Sequence, residues 1–261
     1  MAQWTPFPQA GAFKHSISSL KKNWSHLHAS DQEPLPQHAL VLEAWMHFHN
    51  GDFAKARAVG MEAADAGQLA GLTPANKATC IYATYLEPDE KNRLELFLAV
   101  AQQAEQQAKA APHLVNAWYL QAYALGRYSQ GISVAKALAQ GLGSRVKESL
   151  EKTLQLCPVH VEAHISLGAF HAEVIDKVGA LIGGMTYGAR KDVGLRHFSQ
   201  ALQLNSGSAI AMIEYANALL MLEGDSRHED AAALLVKASA IEAQDAMEWL
   251  DVEMARSELA N

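Results

Sequence analysis

Apolar residues recur along most of this chain at intervals of three and four, the spacing of a helix with one buried face. Val146, Leu150 and Leu154 mark such a run before Leu156, and Leu195, Phe198 and Leu202 mark another before Leu204. Near the start, Phe13, Ile17, Leu20, Trp24 and Leu27 share one helical face. Residues 73–111 follow a helical pattern, with Thr73 as a candidate N-cap and Pro74 at the first helical position. A closing helix is expected over Asp245 to Leu259. Runs rich in valine, isoleucine and threonine are few, and only 8 prolines interrupt the chain. Helices are therefore favoured throughout, and the fold class is all-α.

The helical runs repeat. Ala111-Pro-His-Leu-Val-Asn-Ala-Trp118, Cys157-Pro-Val-His-Val-Glu-Ala-His164 and Asn205-Ser-Gly-Ser-Ala-Ile-Ala-Met212 overlay one another, the last without its proline. Pro112 and Pro158 are 46 residues apart, and Leu156 and Leu204 are 48 apart. Small residues at fixed places would let two helices of a pair approach closely, while large apolar residues fill the gap to the next pair. Proline ends a helix because it lacks an amide donor and restricts the residue before it.

In this register the chain resembles the tetratricopeptide repeat (TPR) family. Trp118 falls on that family's tryptophan position and Ala122 on its glycine position. Leu167 and Gly168 fit the leucine and glycine positions, with His164 and His171 in place of aromatics. Tyr215, Ala216, Ala231, Leu235 and Ala238 fit the last unit, and Ala44, Gly51-Asp52-Phe53, Ala56 and Ala63 fit the first. The resemblance implies an α-α superhelix of about five helix pairs over residues 37–261, preceded by a segment 1–36 with a docking helix. The family's unit is about 34 residues, so about 12 to 14 are extra in the third and fourth pairs. They fall at Ser129–Ser144 and Val178–Arg190, between the two helices of each pair. Such elongated units look similar to bacterial proteins resembling the regulator-of-microtubule-dynamics group, a likeness too loose to carry a cytoskeletal role.

First helices of TPR pairs line a groove in which partner segments bind. By that resemblance the groove positions here are Val41, Trp45 and Phe48, then Asn116, Tyr119 and Tyr123, then Glu162 and Ile165, and finally Asn217. Arg127, at the rim, would clamp a partner's carboxylate. Aromatic side chains suit such a face because they supply large contact area at low entropy cost. The same stripe at helical spacing also fits ordinary core beneath the N-terminal helix or the insertions.

Composition narrows the function further. A net charge of −7, with basic residues scattered among carboxylates, argues against nucleic acid as partner. Cys80 and Cys157 form no paired motif and fit a reducing compartment, and no run reaches the roughly 20 apolar residues that span a bilayer. The first thirty residues lack the apolar core of a secretory signal; they carry lysines and no acid, but also no arginine, which suits a docking helix better than a presequence. A cytoplasmic location is expected. Of the 12 histidines, His160 and His164 stand at the four-residue spacing of a metal pair, with no second pair following. His228-Glu229 opens like a zinc-protease helix but meets Ala232 where the second histidine belongs. The glycine-rich stretch 179–191 lacks the glycine-lysine-serine ending of a phosphate loop. No catalytic residue, metal ligand or cofactor is assigned. The expected function is a non-catalytic scaffold holding another protein, with a homo-oligomer built through the insertions as the alternative and a metal or enzymatic site near His160 and His164 as a lesser one.

Overall fold

The computed structural model describes residues 4–260, which form fourteen α-helices and two short 3-10 turns. They are α1 (Ile17–Leu27), α2 (Ala39–His49), α3 (Phe53–Asp65), α4 (Leu72–Tyr85), α5 (Glu90–Ala110), α6 (Val115–Gln130), α7 (Val134–Ala139) and α8 (Leu142–Leu156). Then come α9 (Val161–Val178), α10 (Ala180–Tyr187), α11 (Lys191–Leu204), α12 (Ala209–Glu223), α13 (His228–Ser239) and α14 (Ala246–Ala260). Among the described residues no helix is long and apolar enough to cross a membrane.

The chain divides into two compact units. The first takes the chain up to His28, with Gln32–Leu156 and Gln244–Met247; the second takes Ala29–Asp31, Cys157–Ala243 and the chain from Glu248. In the first unit α2 pairs with α3, α4 with α5, and α6 with α8, each pair packing on the next. The second unit pairs α9 with α11 and α12 with α13. The two insertions lie where the repeat spacing puts them, and each contains a short helix: α7 between α6 and α8, α10 between α9 and α11.

The repeat positions have physical work to do. Trp118 donates its indole N–H to the Pro112 carbonyl at 3.1 Å, tying the helix to the turn before it. Ser208 and His160 cap α12 and α9 through bonds from the third backbone amide onward, Ala211 and Ala163. Gly168 lies against the Phe198 ring, and a Cβ there would sit 2.6 Å from it. Phe198 is fully buried and stacked on Tyr215, 5.2 Å between centroids, so it has no room to retreat. The second pair starts differently from its expected capping. A 3-10 turn, Leu69–Gly71, runs straight into α4, whose N-cap is Gly71 with no side-chain cap, leaving Thr73 and Pro74 inside the first turn. Thr73 instead accepts from the Gln107 amide at 3.0 Å.

A matched pair of substitutions tests this packing. Gly168→Ala should lose about 1–3 kcal/mol in urea unfolding, because overpacking a rigid site forces backbone shifts. Gly126→Ala, where an added Cβ meets nothing within 4 Å, should be neutral or gain up to about 1 kcal/mol from helix propensity. Equal losses at both sites would refute the packing argument.

Candidate functional site

The first-helix face of the first unit is covered by the chain's own N-terminal segment. Trp4 stacks on Tyr82 of α4 with centroids 4.0 Å apart, and the Thr5 amide donates to the Tyr82 hydroxyl. Phe7 meets Phe53 edge-on and closes over Gly51, where an added Cβ would lie 2.6 Å from its ring. Helix α1 is started by a capping box at Ser16 and Ser19, and it buries Leu20 and Trp24. Trp24 and His28 both present themselves edge-on to Trp45, at 6.2 and 4.6 Å between centroids. Beyond α1 the chain stays pinned: Trp24 donates to the Glu33 carbonyl at 2.7 Å, and the Glu33 carboxylate accepts from Asn116 at 2.7 Å.

A second pin is polar and fully enclosed. His49 donates Nδ1–H to Asp245 at 2.6 Å, and its Nε2 meets Nε2 of His28 at 3.2 Å, one ring donating to the other. All three side chains are buried, so the bonds offset the cost of removing these groups from water. The Asp245 partner lies 196 residues from His49, and no local pattern in the sequence announces it.

Seven of the ten sequence-derived binding positions, Val41, Trp45, Phe48, Asn116, Tyr119, Glu162 and Ile165, are buried. Trp45 has no exposed surface at all. The other three, Tyr123, Arg127 and Asn217, are half-buried. Asn217 hydrogen-bonds Glu258 of α14, whose carboxyl is raised above its ordinary range chiefly by burial. Tyr123 and Arg127 sit together near the end of α6. The guanidinium lies over the Tyr123 ring, 5.3 Å from its centroid, and the Tyr123 hydroxyl bonds Thr84 at 2.9 Å. Burial pushes that phenol above its ordinary value. Beside them opens a cleft of about 310 Å3 whose lining includes Thr84, Glu90, Arg93, Leu94, Phe97 and Arg127.

His160 and His164 serve different partners. His160 caps α9 through Nδ1, at 3.1 Å from the Ala163 amide, whereas His164 pairs with His197 of α11 at 2.9 Å. Among the described residues no group of three or more histidine, cysteine, aspartate or glutamate side chains is arranged to hold a metal ion. Burial raises the Cys80 thiol far above its ordinary range, so it is no nucleophile at neutral pH.

No family model and no curated protein matches the sequence. Among solved structures the chain is similar to a thermophilic TPR protein of Thermus thermophilus, with a TM-score of 0.58 over 84% of this chain and 97% of that one. The fold is a TPR-like helical solenoid. Sequence identity is 14%, so the likeness concerns the fold alone. It leaves the regulator-of-microtubule-dynamics resemblance of the elongated pairs without support. Within the TPR-like fold, Trp45 and its neighbours occupy first-helix positions whose outer side is filled from the same chain.

If Trp24 is structural cover for that face, Trp24→Ala should cost about 3–5 kcal/mol in chemical denaturation, the range for removing a buried tryptophan. A loss below about 1 kcal/mol would mean that α1 rests on the face without stabilising it.

Proposed function

We propose that this protein is a non-catalytic interaction scaffold, and that it takes a segment of a partner protein at the open end of its first-helix face, around Tyr123 and Arg127. One observation carries the reading. The face already holds an extended-then-helical segment, its own residues 4–36, through stacked aromatics and polar pins. A peptide from another protein would use the same means at the cleft beside α6. There Arg93 and Arg127, offset in part by Glu90, favour a carboxylate, Leu94 and Phe97 favour an apolar neighbour, and the Tyr123 ring lies beneath the Arg127 guanidinium. The TPR-like fold supports a protein partner rather than a small substrate, since stacked helix pairs offer long surfaces and few enclosed pockets. The fold and the two unpaired cysteines are compatible with a cytoplasmic setting.

A second reading has its own observation. Leu181, Ile182 and Met185 of α10 are 76%, 58% and 82% exposed, and such a cluster on a short helix suits a contact with another copy of the chain. In that reading the insertion builds an oligomer and the cleft is incidental.

The test is a pull-down from native lysate with wild type, Tyr123→Ala/Arg127→Ala and Leu181→Ser/Met185→Ser, each checked for fold by circular dichroism. A partner retained by wild type and the α10 variant but lost by the folded cleft variant would support the scaffold reading. Retention by the cleft variant would overturn the use of that site. Light scattering across a range of concentrations separates the oligomer reading. A mass that rises with concentration in wild type and stays monomeric in Leu181→Ser/Met185→Ser would establish it.

A further inference from the structure

Three imidazoles meet where α9 faces α11: His164 and His171 from α9 and His197 from α11. His164 bonds the Pro158 carbonyl through Nε2 at 3.0 Å, and since a carbonyl only accepts, that nitrogen carries the proton. In the neutral ring Nδ1 is then the acceptor, and it takes Nδ1–H from His197 at 2.9 Å. His171 accepts the backbone N–H of Arg190 on its Nδ1 at 3.2 Å, and its ring lies nearly parallel to that of His197. The His164–His197 bond survives a single proton on the pair and is lost only when both rings are charged, whereas the Arg190 bond stands only while Nδ1 of His171 is unprotonated. A proton on Nδ1 of His164 is accommodated when His197 carries its own proton on Nε2 and accepts, but a second proton on the pair sets two donors against each other, and one on Nδ1 of His171 removes the acceptor that Arg190 uses. A proton on Nε2 of His197 spares the bonds but places a charge among groups of its own sign.

Those bonds hold more than each other. Arg190 ends the second insertion, so His171 anchors the point where the chain returns from α10 to α11. Apart from this anchor α10 leans on α9 at Gly183, where an added Cβ would lie 3.0 Å from Val174, and at Tyr187, edge-on to Phe170 at 6.5 Å, while Leu181, Ile182 and Met185 face outward. We propose that His164, His171 and His197 form an acid-sensitive latch, which when neutral fastens the 179–190 insertion to the α9–α11 pair and when protonated lets it detach.

The electrostatics act in the same direction. Burial first, then His164, His171 and Arg196, hold His197 down to about 4, and burial holds His164 below its ordinary value. The groups acting on His197 are thus two imidazoles of α9 and one guanidinium of its own helix. The α11 carboxylate Asp192 is already bonded by Arg190 and Arg196, and the α12 side chain packed on α11 beside it is Tyr215, stacked on Phe198. The fastened form holds His197 near 4, below its ordinary 6.5, so any release that opens the ring to water lets it bind a proton that the fastened form resists. Between those values the detached form holds more protons, so the latch is at full strength above 6.5 and weakens as the pH falls toward 4.

Hydrogen exchange at about pH 7.5 and about pH 5, corrected for intrinsic rates, reads the latch directly on the amides of 179–190. Release that exposes His197 fully would raise opening roughly 30-fold between those conditions, so a rise of several-fold up to that bound is expected for the wild type. His171→Asn/His197→Asn keeps an acceptor for Arg190 and a donor for His164 without titrating, and its rise should be several-fold smaller. Unchanged protection in the wild type, or an equal rise in the variant, would overturn the proposal. Should the variant not fold, wild-type NMR decides. Amide shifts of 179–190 that follow protonation of the three rings support the latch, and rings that protonate while those amides stay still sink it.

Discussion

Close backbone approach within and between helix pairs is the constraint on which this molecule rests. Gly60 of α3 and Gly71, just before α4, face each other so closely that a Cβ on Gly60 would lie 2.5 Å from the Gly71 carbonyl oxygen. Gly168 admits the Phe198 ring in the same way, and Gly194 lies against His171 and the Gly168 carbonyl. Alanines complete the seams, with Ala44, Ala56, Ala63, Ala216 and Ala238 having no exposed surface. Helices at such short separation leave no space for water, so their remaining faces must be apolar or internally bonded. Everything else follows from that: large side chains are displaced to the outer sides of each pair, where another layer has to cover them.

In the first unit that layer is the N-terminal segment, which explains why α4 looks so unlike its neighbours. Enclosed by α2, α3, α5 and α6, it buries every residue from Leu72 to Ala83, polar ones included. A helix hidden on all sides has no solvent face to mark its period. Three of its polar residues find partners, while the buried Asn76 amide has none. Thr79 bonds back to the Ala75 carbonyl at 2.7 Å, Thr73 takes the Gln107 amide, and the Lys77 ammonium lies over the Phe48 ring. The weak repeat signature of residues 73–111 is therefore a consequence of burial on every side rather than of a different fold.

How much was legible follows from how local each feature is. Helix periods, the pairing of helices, the places of both insertions and the docking of α1 rest on residues a few positions apart or on a repeating register, and the sequence carries both. Whether Trp45, Phe48 and Tyr119 meet solvent depends on what lies over them, and an apolar stripe has the same spacing under its own chain as under a partner. The Glu33–Asn116 and His49–Asp245 bonds span 83 and 196 residues and leave no trace in any window of sequence. His164 and His171 were readable as substitutes for aromatic packing residues, but the ring they meet, His197, comes from the far side of the insertion.

The insertions show where the repeat constraint relaxes. Lengthening a pair between its two helices leaves the helix seams intact, since the extra residues leave and return at the same end. Glycines bracket α10: Gly179 and Gly188 have φ of 81° and 65°, which lets the chain leave α9 sharply and end α10 in a left-handed cap. The helix between them is held by the edge-on contact of Tyr187 with Phe170, by Gly183, by the buried Ala189 and by the bond from Arg190 to His171. These contacts stand beside three imidazoles whose mutual repulsion grows with each proton, which is what ties the hold on α10 to protonation in the proposed latch.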